Sequence, residues 1–461
     1  MTSIQEASAA SGIPLEQLEA LIAIPYKKDG STLPRKVTLT TFGFAKDVIT
    51  EIRAELDSKL KQGRKDFQQR VDNTFRLIMC NLVGCVFTRE GLSLPGDNKA
   101  YNVGSYYQKF HLTRRAVKVV VGALEGKYIK RIKGNNFKNK VDKYQPTLLL
   151  ELELIPYIYS IREEYKPLEP LIIFKQDKEK EREKRNSSKA MKHIKQRRSL
   201  GLFAAAHNSI ELETTYATDQ AALIRLNDAL KDANYALKGP VKRIYSHNDP
   251  MQGGRLYVRL QSLPDRRAKI RINTFFNGKP IAEVDLSANH PRMLMALEGQ
   301  QLPENFYDEI VEESGISIVG EKPGTSRDKV KFLVMKMVGA SNKAISIVVK
   351  EDEKNWYQST FMMTQAEKIK IESVIEQRYP KLYSWFYKGR GIHMQALEGD
   401  ILLEAMLRLL DQGILSLPMH DAIYVQQEHI TQAKTALENA WMHALGVSFK
   451  PYTKIDMPAT K

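Results

Sequence analysis

The chain has 461 residues, 43% of them hydrophobic, with 70 Lys and Arg against 54 Asp and Glu and a formal charge of +16. That length suits roughly two or three domains, and no apolar run approaches the roughly 20 residues of a membrane span, so a cytoplasmic protein without a membrane partner is expected. The two cysteines, Cys80 and Cys85, lie in an apolar helical run and read as buried thiols rather than a disulfide or metal site, and the positive excess favours a polyanion, nucleic acid above all, as partner.

Residues 1–45 mix a helical pattern over 14–24 with a polar, basic, Thr-rich stretch to which no chemistry attaches; 44–87 is helical. From 100 to 155 the pattern says more. A short helix and turn over 105–112 leads to Thr113, which caps a helix over 114–125 that Gly126 ends. Strands are expected over 128–133 and 147–154, with a basic loop between them carrying Lys138, Lys140 and Lys143. This order resembles a winged helix-turn-helix module. The resemblance implies that Arg114, Arg115 and Lys118 face the DNA major groove or its phosphates, with the three lysines on the wing; a structural subdomain is the other reading. Residues 175–198 are a charge run almost without apolar side chains, a solvated linker or exposed helix. It divides an N-terminal region, 1–174, from a second part, 200–461, with 175–199 as the linker. A further helical segment, rich in Ala and Leu, covers 214–237.

The stretch Ile281-Ala-Glu-Val-Asp285-Leu-Ser-Ala-Asn-His290-Pro-Arg292 reads as a short buried strand, 281–286, that ends in an aspartate and turns into a helix with Pro291 in its first turn. An aspartate so placed is rigid enough to hold a metal, or it merely caps the helix. Next, Arg327-Asp-Lys-Val-Lys331-Phe-Leu-Val-Met335-Lys-Met-Val-Gly339 follows the breakers Pro323 and Gly324 and the caps Thr325 and Ser326. On a helix Arg327, Lys331, Met335 and Gly339 share one face, where two cations, a flexible apolar residue and a bare position suit a triphosphate with a base beside it. Finally, Gly413-Ile-Leu-Ser-Leu-Pro-Met-His420-Asp421-Ala-Ile-Tyr-Val reads as a hairpin with the acid at its tip. Two strand-borne aspartates and a cationic helix are the parts that two-metal phosphoryl transfer requires.

Strand-Asp, Arg-x3-Lys helix and His-Asp hairpin, in that order, resemble the three motifs shared by family A DNA polymerases and phage-type single-subunit RNA polymerases. Two more matches agree. Gly254-Arg255, with Leu263-Pro264 following, resembles the family's Gly-Arg segment upstream of the first motif, and Gln395-Ala-Leu-Glu-Gly-Asp400-Ile resembles its Gln-containing palm helix. The resemblance implies an α+β right-hand polymerase with palm, thumb-like part and a fingers insertion over about 300–390, behind the mostly helical, winged-helix-like N-terminal region. It implies Asp285, Asp421 and the Leu286 carbonyl as ligands of two magnesium ions, with manganese as a substitute. Arg327 and Lys331 would hold the triphosphate of a dNTP or NTP, with Met335, Gly339 and His290 around the nucleotide. Arg255, Gln395, His420 and Arg292 would meet the DNA primer-template duplex, Arg292 alternatively forming a salt bridge within the palm.

The departures bear on sugar choice. His290 stands where the DNA polymerases carry glutamate and the RNA polymerases glycine, and Gly339 where both usually carry tyrosine. Met335 matches the RNA polymerases, and Ala422 replaces their serine or the DNA polymerases' glutamate. Both dNTP and NTP therefore stay open, with Tyr357 and Phe361 as candidates to fill the insertion site. No clustered acids of a proofreading exonuclease occur. A polymerase with a DNA-binding module in their place suits replication or priming on a plasmid, phage or mobile element, with replication proteins as further partners. The alternatives are a primase or RNA polymerase on the same fold, and a non-catalytic DNA-binding replication initiator.

Overall fold

The computed structural model describes residues 2–27, 31–32, 37–39, 47–102, 107, 111–134, 141–163, 171–175, 209–246, 249–264, 268–316, 326–343 and 363–458. Two short helices, α1 (Ile4–Ser11) and α2 (Leu15–Ala23), and two short strands, β1 (Ser31–Thr32) and β2 (Val37–Leu39), come first. Helices α3 (Val48–Glu55) and α4 (Asp57–Leu60) lead to α5 (Lys65–Thr88), whose second half is buried almost throughout. From Ile78 to Phe87 every residue is buried, with Ile78, Met79, Leu82, Val83, Val86 and Phe87 along one half of the helix and Cys80, Asn81, Gly84 and Cys85 along the other, so the helix becomes the centre of this region. Cys80 and Cys85 lie within it as buried free thiols.

After β3 (Gly91–Ser93), Thr113 caps α6 (Arg114–Leu124), accepting a hydrogen bond from the Ala116 amide at 3.3 Å. β4 (Ile129–Ile132) and β5 (Lys143–Pro146) pair antiparallel within a four-stranded sheet ordered β1-β3-β5-β4. One element differs from expectation. Residues 147–154 are not the second wing strand but helix α7 (Leu148–Leu154). Their Leu-Glu alternation imitates a strand, yet both residues are strong helix formers, and the helix lets Glu151 meet buried Arg89 at 2.8 Å. The paired strand is the preceding segment. Lys143, expected on an exposed wing, is therefore inside the sheet between β3 and β4 and only 9% exposed; Lys138 and Lys140 lie outside the described residues.

β6 (Ile161–Glu163) pairs with β2, and β7 (Ile172–Lys175) runs parallel to a later strand. Helix α8 (Ser209–Ala229) is followed by β8 (Lys242–Ser246), that later strand, and by β9 (Asp249–Tyr257) antiparallel to it. Strands from both sides of the charged stretch thus share one sheet, while 176–208 lie outside the described residues.

The last sheet joins β10 (Phe275–Phe276) and β11 (Lys279–Leu286) to strands more than a hundred residues away. Between them come α9 (Asn289–Ala296), α10 (Phe306–Ser314), α11 (Ser326–Gly339), α12 (Gln365–Arg378), α13 (Pro380–Trp385) and α14 (Gly391–Leu410). Strands β12 (Leu417–Met419) and β13 (Ala422–Gln426), helix α15 (Ile430–Leu445) and strand β14 (Thr453–Asp456) complete the chain. β13 pairs with one side of β11, and β10 and β14 with the other. Along β11, Ala282, Val284 and Leu286 are buried, and the sheet packs on α14 and α15. Glu283 and Asp285 alternate with them and so point to the opposite face. One apolar cluster runs from Ala7 to Leu445, and no helix among the described residues is long and apolar enough to cross a membrane.

Candidate active site

β11 and β13 lie side by side with Asp285 opposite Ala422, and β12 enters through a tight turn made of His420 and Asp421. His420 has a φ of 53°, the left-handed backbone that such turns use. The Leu286 amide donates to the Asp421 carbonyl at 3.1 Å. The two aspartates therefore stand one register step apart at the same end of the sheet. Burial pushes the Asp285 carboxyl well above the usual carboxylate range, and the charges of Asp421 and Glu283 add to it. Asp421 is raised too, by burial and then by Glu398. Lys331 and Lys454 oppose the shift at Asp285; Lys454, on β14, is its register neighbour. Glu283 accepts a hydrogen bond from the Tyr424 hydroxyl, which in turn accepts from Arg271 Nε at 3.0 Å.

Across from this end, α11 turns Val330, Leu333, Val334 and Met337 into the core. Arg327, Lys331, Met335 and Gly339 fall together on its other, more open face, with Lys331 exposed and Met335 37% exposed. The Arg327 guanidinium lies over the Tyr307 ring, 5.2 Å from its centroid, and its Nε is 3.4 Å from the Asp308 carboxylate. Gly339 is where α11 crosses α14: a Cβ on Gly391 would come within 3.0 Å of its Cα. Tyr357 and Phe361, like Thr325 and the breakers before it, lie outside the described residues.

Helix α14 supplies a residue not anticipated from sequence. Glu398, one turn after half-buried Gln395, is fully buried. It accepts from Arg255 Nε at 2.5 Å and Nη2 at 3.3 Å and from Asn289 Nδ2 at 3.3 Å, and it lies 3.1 Å from His290 Nε2. Burial raises its carboxyl, but His290 and Arg255 outweigh that and hold it below the usual range. Its signal was a lone acid among the inward-facing residues of an apolar helix, which only a buried partner can explain. Arg255 is held by this carboxylate and keeps a side chain 23% exposed.

Two expectations change. His290, expected beside the nucleotide, is 4% exposed and turned onto Glu398. Arg292, expected on the duplex or in a salt bridge, is 3% exposed and spends its guanidinium on carbonyls: Ser287 at 2.8 Å, Leu302 at 2.6 Å and Pro303 at 2.7 Å. It fixes the turn behind Asp285 and the segment entering α10. His420 stands exposed on the hairpin turn, its pKa lowered by partial burial and then by Arg255 and Arg271. On α6, Arg114, Arg115 and Lys118 are exposed, with the Arg115 guanidinium 4.5 Å from the Phe67 ring centroid.

Among the described residues no group of three or more His, Cys, Asp or Glu side chains forms a ready metal cage. Two carboxylates with a backbone carbonyl nevertheless match the donor set of magnesium, which takes one or two carboxylates and leaves the rest of its shell to water and substrate phosphates. No protein-family model and no curated protein matches the chain. Among solved structures, the POL domain of Pol1 from M. smegmatis, in complex with DNA primer-template and dNTP, is similar over 87% of this chain and 71% of that one, at 13% identity and a TM-score of 0.33. A superposition that loose carries no weight for the chemistry, which rests on the geometry of the site.

Proposed function

We propose that the chain is a template-dependent nucleotidyltransferase, a DNA-directed polymerase that extends a nucleic-acid strand with two metal ions. The observation that carries this reading is the pair Asp285 and Asp421, one register step apart at a sheet end, with Lys331 close enough to act on Asp285. Asp285, Asp421 and the Leu286 carbonyl would hold magnesium, or manganese in its place; two desolvated carboxylates that repel each other gain from a divalent cation. Bound magnesium supplies neutralisation of the charge on the reacting phosphate oxygens.

The chain's own residues do the positioning. Lys331 and Arg327 hold the triphosphate, and the bare position at Gly339 beside Met335 leaves space for a base. Arg255, steadied by Glu398, meets the duplex with Gln395, and His420 stands beside the 3′ end. Arg114, Arg115 and Lys118 hold DNA phosphates at a second place, on α6.

Extension of a single-stranded template, primed or unprimed, with labelled dNTPs or NTPs and magnesium tests this, with Asp421→Ala alongside. Primer-dependent dNTP incorporation that is lost in the variant is expected. Primer-free NTP incorporation would make the site that of a primase or RNA polymerase. No incorporation, with DNA binding intact, would leave a replication initiator without catalysis.

A further inference from the structure

Strand β8 lies between β7 and β9, and near its start Arg243 turns a guanidinium into the interior, where the residue is 1% exposed. Its Nη1 donates to Asp219 of α8 at 2.8 Å, and the Tyr245 hydroxyl donates to the same carboxylate oxygen at 2.6 Å. Its Nη2 donates to Asp400 of α14 at 2.5 Å, a carboxylate whose side chain stays half exposed. The two acids compensate the buried charge, yet apolar side chains of similar volume fill such a space without loss of stability. What the guanidinium does beyond that is grip two carbonyl oxygens. Nε donates to Gly254 at 2.8 Å and Nη2 to Ala396 at 3.2 Å.

Both carbonyls adjoin residues that the proposed site uses. The Gly254 carbonyl belongs to the peptide bond leading into Arg255, and Ala396 follows Gln395 on α14. The approach to Arg255 is irregular: Gly253 and Gly254 have φ of 77° and 70°, and the pairing of β8 with β9 shifts register on both sides of Tyr245. An irregularity of this kind bends a strand and re-aims the side chain that follows. A Cβ on Gly254 would meet the Tyr245 ring at 2.7 Å, so glycine is required there, and two glycines leave the bend free to move. Arg243 supplies the fixed point. It ties the bend to α14, the helix that carries Gln395 and the Glu398 carboxylate holding Arg255.

We propose that Arg243 is a positioning residue: by fixing the Gly254 and Ala396 carbonyls to each other, it holds Arg255 and Gln395 at the separation at which both meet the primer-template duplex. This rests on the reading of those two side chains as duplex contacts. A lysine at 243 keeps the charge between the aspartates but has a single nitrogen, so it cannot hold both carbonyls and both carboxylates. The test is Arg243→Lys in the full chain, alone and combined with the pair Arg255→Ala and Gln395→Ala. Primer-template affinity is read by fluorescence anisotropy, and inorganic tripolyphosphate is titrated calorimetrically with magnesium.

Arg243→Lys should weaken primer-template binding about tenfold when made alone, and less than about twofold where Arg255 and Gln395 are already alanine, because members of one network do not add. Tripolyphosphate affinity should stay as in the parent. An equal loss of primer-template affinity in both backgrounds would mean that Arg243 does not act through the two side chains and would overturn the inference. A parallel fall in tripolyphosphate affinity would mark general damage to the fold and overturn it as well. Unchanged primer-template affinity in Arg243→Lys, with a clear loss in the double-alanine protein, would overturn the role of Arg243 and leave the duplex contacts standing. No loss in the double-alanine protein would remove the duplex reading and Arg243's role with it. Should the lysine variant not fold, Asp400→Ala, which releases only the half-exposed end of the network, goes through the same comparison. A loss of about threefold that vanishes in the alanine background is then expected, and one that persists there overturns the inference.

Discussion

Asp285 and Asp421 sit where burial and neighbouring acids disfavour ionisation, and this has a thermodynamic consequence that can be read without any assay of activity. A carboxyl whose folded pKa is raised binds its proton more tightly in the folded state than in the unfolded one. Its contribution to stability is full below the ordinary carboxylate pKa of about 4 and is lost as the pH rises through the raised folded value. The metal-free protein should therefore lose melting temperature between about pH 5 and about pH 8, and Asp285→Asn should lose less. At neutral pH without metal that variant should melt roughly 2–4 °C above the parent. Magnesium should raise the melting temperature of the parent and not of the variant, because a bound cation favours the ionised pair. Scanning calorimetry with chelator and with magnesium checks both halves. A variant less stable than the parent in chelator would show that the pair is not repulsive.

Among the elements, α14 is the one that ties strand and helix parts of the site together, and it does so through glycine. A Cβ on Gly399 would overlap the Gly254 carbonyl oxygen of β9, which already accepts from buried Arg243 at 2.8 Å. Gly399→Ala must push β9 away from α14 and with it Arg255 from Glu398, at a cost of about 1–3 kcal/mol. Gly339→Ala, whose added Cβ meets nothing within 4 Å, should instead be neutral or stabilise by up to about 1 kcal/mol. Urea unfolding of the two variants separates these outcomes, and equal effects would refute the packing account. Elements are also where sequence is most legible. An apolar run ending in Asp285 predicts the strand, two apolar runs around His420 and Asp421 predict the hairpin, and four-residue spacing predicts the open face of α11. Residues 147–154 mislead because period and composition disagree there, and the contact between Arg89 and Glu151, far apart in sequence, decides for helix. Lys454 and Glu398 were hidden for a related reason. Their relation to the aspartates comes from register and packing between distant segments, and nothing local announces it.

For the whole molecule the issue is how a charge of +16 is used. The sheet of β7, β8 and β9 draws on both sides of the charged stretch, and the Phe275 amide beside β11 donates to Tyr159 of the N-terminal part at 3.1 Å. The basic face of α6 is thus anchored by packing to the part that carries the aspartates, so its contribution is best measured in the full chain. If Arg114, Arg115 and Lys118 neutralise phosphates, each releases close to one counterion on binding duplex DNA. Replacing all three by glutamate should weaken duplex binding and lower the slope of log affinity against log salt by about 2–3, with triphosphate affinity unchanged. Fluorescence anisotropy at several salt concentrations gives the slope directly. Weaker binding with the same slope would mean that the substitutions disturb the fold around α6, and an unchanged affinity would mean that DNA meets the protein elsewhere. Only a fall in both places phosphates on this helix.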